Sequence, residues 1–171
     1  MIKVGVLTIS DKGSRGERED RSGPLIEELI RKIGGEVQLY RIVPDDRETI
    51  SSNLVEMADT ERIDLILTTG GTGVAKRDVT PEATKDIIEK EVPGIGEAMR
   101  MRSLEITDWA MLSRMTAGTR GETMIVNLPG SPKAVQECLG WIMSVIPHAV
   151  GLLKGEIGDH TAETKAHHGH E

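Results

Sequence analysis

Asp45 and Asp78 are the carboxylates best placed for chemistry in this chain. Asp45 follows Val43-Pro44 at the end of a strand candidate, and Asp78 lies in the stretch TTGGTGVAKRDVTPE that covers residues 68–82. Carboxylates at the same end of neighbouring strands could share one Mg²⁺ ion with the phosphates of a nucleotide. Each also has a purely structural role open to it. Asp45 can cap the helix that follows, and Asp78 can form an Asx-turn ahead of Thr80.

The stretch around Asp78 sets Gly70, Gly71 and Gly73 about Thr72, directly after an apolar strand. Glycine there accepts positive φ and lets a ligand approach bare backbone N–H groups. Lys76 and Arg77 follow, and Thr80-Pro81 opens a helix, with Thr80 as a candidate cap and Pro81 at its first position. A phosphate-binding loop is one reading and a plain tight turn is the other. Neither common nucleotide fingerprint fits. Ala75 and Arg77 flank Lys76 where a Walker loop needs glycine and a hydroxyl residue, and Lys76 occupies the last glycine of a Rossmann pattern.

Two other segments carry candidate binding residues. Asn127-Leu128-Pro129-Gly130-Ser131-Pro132-Lys133 again reads strand, turn and helix start, with Ser131 as cap. Lys133 in that first turn opposes the helix dipole, which suggests an anionic ligand; the alternative is a solvated lysine. The loop from Ser10 to Pro24 mixes Lys12, Arg15, Arg18 and Arg21 with Asp11, Glu17, Glu19 and Asp20. Its default reading is a mobile exposed loop, yet loops of this length between a strand and its helix often bind ligands or act as lids.

These segments need a scaffold that brings strand ends together. Strand patterns cover residues 3–9, 36–43 and 63–69. Between them lie a helix capped by Ser22, burying Leu25, Ile26, Leu29, Ile30 and Ile33, and another starting near Asp45 and burying Ile50, Leu54, Met57 and Ala58. Such alternation implies right-handed βαβ crossovers and a mostly parallel sheet, with ligands bound outside the carboxyl ends of the strands. A third helix is expected from Thr80 toward Lys90, broken at Val92-Pro93-Gly94 before a further helix to Ile106. Residues 113–119 and 122–128 read as an edge hairpin around Arg120-Gly121. A last helix from Ser131-Pro132 should be kinked at Pro147, and residues 156–171 are expected to be a polar, disordered tail.

The formal charge of −7 argues against nonspecific nucleic-acid binding. No stretch reaches the length of a membrane span, and Met1-Ile2-Lys3-Val4 enters a strand with no signal-peptide pattern, so a cytoplasmic setting is expected. Cys138 is the single cysteine; it excludes an intrachain disulfide and reads as a buried structural thiol.

Taken together, Thr8-Ile9-Ser10-Asp11, Asp20-Arg21-Ser22-Gly23-Pro24, Val43-Pro44-Asp45, residues 68–82, Leu112-Ser113-Arg114 and residues 127–133 resemble one family. It is that of the molybdopterin adenylyltransferases of molybdenum cofactor biosynthesis, of the MogA and MoaB type. The stretches occur in family order over about the first 150 residues. The resemblance implies a three-layer αβα domain over residues 1–155, usually trimeric, which joins AMP from Mg·ATP to the terminal phosphate of molybdopterin and releases pyrophosphate. It implies that Asp45 and Asp78 are the essential, metal-holding aspartates and that Gly70, Gly71, Thr72 and Gly73 meet the nucleotide. The pterin and phosphate pocket would then be lined by Ser10, Asp11, Asp20, Arg21, Ser22, Gly23, Ser131 and Lys133. A MoaB-type paralogue that carries molybdopterin without chemistry is the rival within the family.

Overall fold

A computed structural model describes residues 1–158 of the chain. Its centre is one six-stranded sheet in the order β2-β1-β3-β6-β5-β4. β1 (Ile2–Ile9), β2 (Gly35–Val43), β3 (Leu65–Thr69) and β6 (Thr123–Leu128) run parallel, while β5 (Ala117–Arg120) and β4 (Lys90–Glu91) add antiparallel pairings at one edge. This is the expected mostly parallel αβα architecture with its edge hairpin.

Alternate residues of each central strand feed opposite faces. Val4, Val6, Leu65, Leu67, Met124 and Val126 pack beneath α2 (Ser22–Arg31), α5 (Pro93–Leu104), α6 (Pro132–Ile142) and α7 (Ile146–Leu153). Leu7, Ile9, Ile66 and Ile125 face α3 (Arg47–Val55) and α4 (Thr80–Lys85). Every residue of β3 and β6 is buried, which explains their apolar runs without polar alternation. Cys138 sits inside the first of these cores with its thiol pushed up by burial, as a structural residue should.

β1 has β2 on one side and β3 on the other, so the chain reverses its direction of travel across the sheet at β1. Crevices in doubly wound sheets open at such a switch, outside the carboxyl ends of the strands. Four connections meet there: residues 10–21, which begin with the short helix α1 (Asp11–Ser14), and residues 44–46, 70–79 and 129–131.

Several local expectations are corrected. Ser22 does not cap α2; Asp20 accepts from the backbone N–H groups of Ser22 and Gly23, because its longer reach meets the first turn from outside. Thr80 is the first residue of α4 rather than its cap, and its hydroxyl donates to Gly70 O at 2.9 Å. α4 stops at Lys85, since Glu89 and Val92 donate instead to Thr119 and Ala117 of β5. Residues 113–116 leave the sheet and a 3₁₀ turn (Asp108–Leu112) precedes them, so only Ala117–Arg120 forms the strand. At Pro147 the chain divides into α6 and α7, because proline supplies no donor and fits the first turn of a new helix. Of the expected tail, residues 159–171 lie outside the described residues.

Candidate functional site

Two neighbouring centres occupy the carboxyl end of the sheet. The first is a cleft of about 570 Å³ lined by Thr8, Ser10, Arg18, Asp20, Arg21, Ser22, Thr69, Gly130, Ser131 and Pro132, among others. Asp20 organises it. One carboxylate oxygen accepts from Thr8 Oγ1 at 2.7 Å and from the Tyr40 hydroxyl; the other accepts from Ser22 N at 3.0 Å and Gly23 N at 3.2 Å. Burial raises the affinity of this group for a proton, but the donors around it outweigh burial and hold the pKa below its ordinary value. Tyr40 is pushed up to about 12 by burial and by the Asp20 charge. Ser22 Oγ donates to Gly130 O at 2.8 Å and Thr69 Oγ1 to Pro129 O at 2.7 Å, which joins the start of α2 and the end of β3 to the loop before α6. Ser131 caps α6 by accepting from Ala134 N and also lines the cleft.

The second centre is built on the glycine loop. Gly71 sits at φ +68°, and a Cβ there would lie 2.2 Å from Thr80 Oγ1 and 3.3 Å from an Asp45 carboxylate oxygen. Gly73 faces Asp78 in the same way, its virtual Cβ 2.8 Å from Oδ2. Both carboxylates therefore border one short loop. The N–H groups of Gly71, Thr72, Gly73 and Val74 have no hydrogen-bond acceptor among the described residues. Donors of this kind are the usual equipment of an anion cradle.

Neither aspartate takes the structural role first open to it. The cap of α3 is Asp46, which accepts from Thr49 N at 2.9 Å. Asp45 instead accepts from Asp11 N at 2.9 Å, while Asp11 accepts from Asp45 N at 3.0 Å. Asp78 reaches back to Ala75 N at 3.0 Å rather than forward to Thr80. Burial and the charges of Asp11 and Asp78 push the Asp45 carboxyl above its ordinary range, against the opposing pull of the Asp11 N–H and Arg77. Arg77 forms a bidentate pair with Asp11, with N–O distances of 3.0 and 2.8 Å, and so depresses that group. Among the described residues no cluster of three or more metal-ligating side chains occurs. Asp45 and Asp78 suit an ion that needs only one or two carboxylates, with phosphate and water completing its shell, and such a cation would relieve the crowding of like charge at Asp45.

Relatives agree on what this arrangement belongs to. Residues 5–148 match the family model described as a "probable molybdopterin binding domain". The chain belongs to that family. A molybdopterin adenylyltransferase of Helicobacter pylori is 46% identical over 156 residues, covering 90% of this chain and 89% of the relative. One from Escherichia coli K12 is 38% identical over 168 residues, covering 90% and 86%. The crystal structure of the molybdopterin biosynthesis enzyme MoaB from Thermus thermophilus superposes with a TM-score of 0.86 at 50% identity, covering 91% of this chain and 98% of the other.

In this member of the molybdopterin-binding domain family, the sequence candidates divide between the two centres. Ser10, Asp20, Arg21, Ser22 and Ser131 line the cleft; Gly23 stands at its edge through the Asp20 bond. Asp11 belongs with Asp45, Asp78 and the glycine loop. Ser10 and Asp11, adjacent in sequence, join the centres. Lys133 is exposed in the first turn of α6 and does not line the cleft. Two contributors carry no sequence role beforehand, Thr8 and Tyr40, while Arg77, a candidate phosphate-holding cation of the glycine loop, is paired with Asp11. Thr8 lies within one of the matching stretches, but Tyr40 has no local signal, since only the pairing of β2 beside β1 brings it to Asp20.

Proposed function

We propose that this chain is a molybdopterin adenylyltransferase of molybdenum cofactor biosynthesis, working in the cytoplasm. The observation that carries this reading is the meeting of Asp45, Asp78 and unpaired loop N–H groups beside a cleft large enough for a pterin. In the reaction, an oxygen of the terminal phosphate of molybdopterin bonds to the α-phosphorus of ATP as the bond to the β-phosphate oxygen breaks, and pyrophosphate leaves. Asp45 and Asp78 would hold Mg²⁺, which neutralises phosphate charge when bound. Amides of Gly71 to Gly73 bind phosphate oxygens, and Ser10, Ser22 and Ser131 bind the pterin side in the cleft. Asp20 keeps that wall in shape, and Arg21 or Lys133 screens the attacking phosphate. No covalent nucleophile is needed, because holding two polyanions in line and compensating their charge supplies the acceleration.

The test is release of pyrophosphate from ATP. Release that requires both Mg²⁺ and molybdopterin is expected. An inert protein that still binds molybdopterin would overturn the enzyme and leave a carrier of the MoaB type.

The assembly we propose is a homotrimer. α5 and the turn after it expose Met101, Leu104, Ile106, Trp109, Met111 and Leu112, with Trp109 78% and Met101 69% accessible. A lone subunit rarely leaves so many large apolar side chains together in water. Sedimentation as a trimer is expected, and a monomer at micromolar concentration would overturn it.

A further inference from the structure

The glycine loop is pinned from behind by a residue of a distant segment. Arg114, just before β5, donates its backbone N–H to Thr72 O at 2.8 Å, Nε to Gly73 O at 2.8 Å and Nη2 to Asp78 O at 2.8 Å. Its remaining terminal nitrogen, Nη1, pairs with Glu82 in the first turn of α4. One residue thus holds both ends of the segment that runs from Thr72 to Asp78, its backbone N–H at Thr72 and its guanidinium at Gly73 and Asp78. Taking the adenylyltransferase reading of that loop as given, we propose that Arg114 is the positioning residue that aims the loop amides and the Asp78 carboxylate at Mg·ATP.

The geometry of the peptide gives the reason. In a trans peptide the C=O of one residue and the N–H of the next point in opposite directions. With the carbonyls of Thr72 and Gly73 drawn to Arg114, the N–H groups of Gly73 and Val74 turn to the other side of the loop. Those donors have no acceptor among the described residues. The loop itself is rich in glycine and would otherwise sample many conformations. The guanidinium is a planar fork whose donors leave in fixed directions, so it can fix several carbonyls at once; a lysine ammonium is a point charge on a flexible stem. Glu82 holds the plane of the fork. Arg114 does not line the cleft, and neither do its hydrogen-bond partners, so its influence falls on the nucleotide side.

The experiment compares the wild type with Arg114→Lys, which keeps the charge and loses the fork, and with Glu82→Gln, which loosens the fork without removing it. Three quantities are read: pyrophosphate release, Mn²⁺·ATP binding by electron paramagnetic resonance, and molybdopterin binding. Arg114→Lys is expected to lower kcat about 100-fold, the cost of a misplacement on the order of an ångström, and to weaken Mn²⁺·ATP binding while molybdopterin binds as before. Glu82→Gln is expected to show the same pattern at smaller size, and it decides the matter if Arg114→Lys fails to fold. Wild-type kcat and Mn²⁺·ATP affinity in the variants would overturn the assignment, and so would an equal loss of molybdopterin binding, which marks a general collapse. A wild type that releases no pyrophosphate overturns the adenylyltransferase reading instead. Mn²⁺·ATP binding then decides the clamp by itself, weakened binding in the variants supporting it and unchanged binding refuting it.

Discussion

Asp20 and Asp45 are both partly buried carboxylates at the carboxyl end of the sheet, and their surroundings push them in opposite directions. Asp20 accepts from two hydroxyls and two backbone amides, so its charge is compensated inside the protein and its pKa falls. Asp45 is driven up first by burial and then by the charges of Asp11 and Asp78, and its one backbone donor and the more distant Arg77 do not offset them, so its pKa rises. A carboxylate saturated with donors shapes a wall; one crowded by like charge is ready for a cation.

The largest effect that sharpens this contrast is expected at Asp78. Asp78→Asn should lower turnover about 100-fold or more, the scale for loss of a charge-stabilising group in an active site, with the thermal midpoint unchanged. Full turnover in that variant would remove the metal role from the second centre.

Next comes Asp45→Asn. Because the folded pKa of Asp45 is raised, the fold favours its neutral form; that contribution is complete below the ordinary value and is lost as pH rises through the folded one. At neutral pH without metal the charged carboxylate is therefore a cost, and Asp45→Asn should raise the metal-free melting midpoint by about 1–2 °C. The same variant should need far more Mg²⁺ for turnover. In the wild type, activity should fall as acid protonates Asp45, and added Mg²⁺ should move that fall to lower pH. A pH profile indifferent to Mg²⁺ concentration would break the link.

Asp20→Asn should act in the opposite sense and on stability first. Donors that face the carboxylate would meet an amide, at a cost of about 1–3 kcal/mol, while the Mg²⁺ dependence of turnover stays as it was. In the wild type, the stability contributed by the lowered pKa is present above the ordinary carboxylate value and is lost as pH falls through the folded one. The smallest readout is optical. Tyr40 is the one tyrosine of the chain, so its phenolate absorbance reports a single group. Its contribution to stability is present below the ordinary value near 10 and is lost as pH rises through about 12. Native protein should show ionisation only near about 12, and Asp20→Asn should bring it down. Ionisation at the ordinary pH would mean that the two side chains do not interact.

Much of this molecule is written locally. The apolar runs before Ser10 and Gly70 mark parallel strands, because a strand buried on both faces has no use for polar alternation, whereas the alternating run before Pro44 marks the half-exposed edge strand β2. Gly70 and Gly71 announce a backbone conformation that other residues resist, Gly73 leaves room for Asp78, and the amphipathic spacing of Ile26, Leu29 and Ile30 marks a helix against the sheet. Element ends were less legible. Whether Ser22 or Asp20 serves α2, or Asp45 or Asp46 serves α3, turns on side-chain reach, and sequence offers two suitable residues in each place.

Sequence alone therefore determined the alternation of strands and helices, the family to which the chain is similar and the set of residues from which the two centres are drawn. Tertiary structure alone decided how that set divides. Asp20 meets Tyr40 because β2 lies beside β1, Asp11 and Asp45 exchange hydrogen bonds because two loops leave adjacent strands, and Arg114 returns from the far edge of the sheet to hold Thr72, Gly73 and Asp78. Each of these contacts joins residues distant in the chain. A carboxylate's charge state and a loop's aim depend on neighbours within a few ångströms in space, and local sequence preferences carry no information about those neighbours.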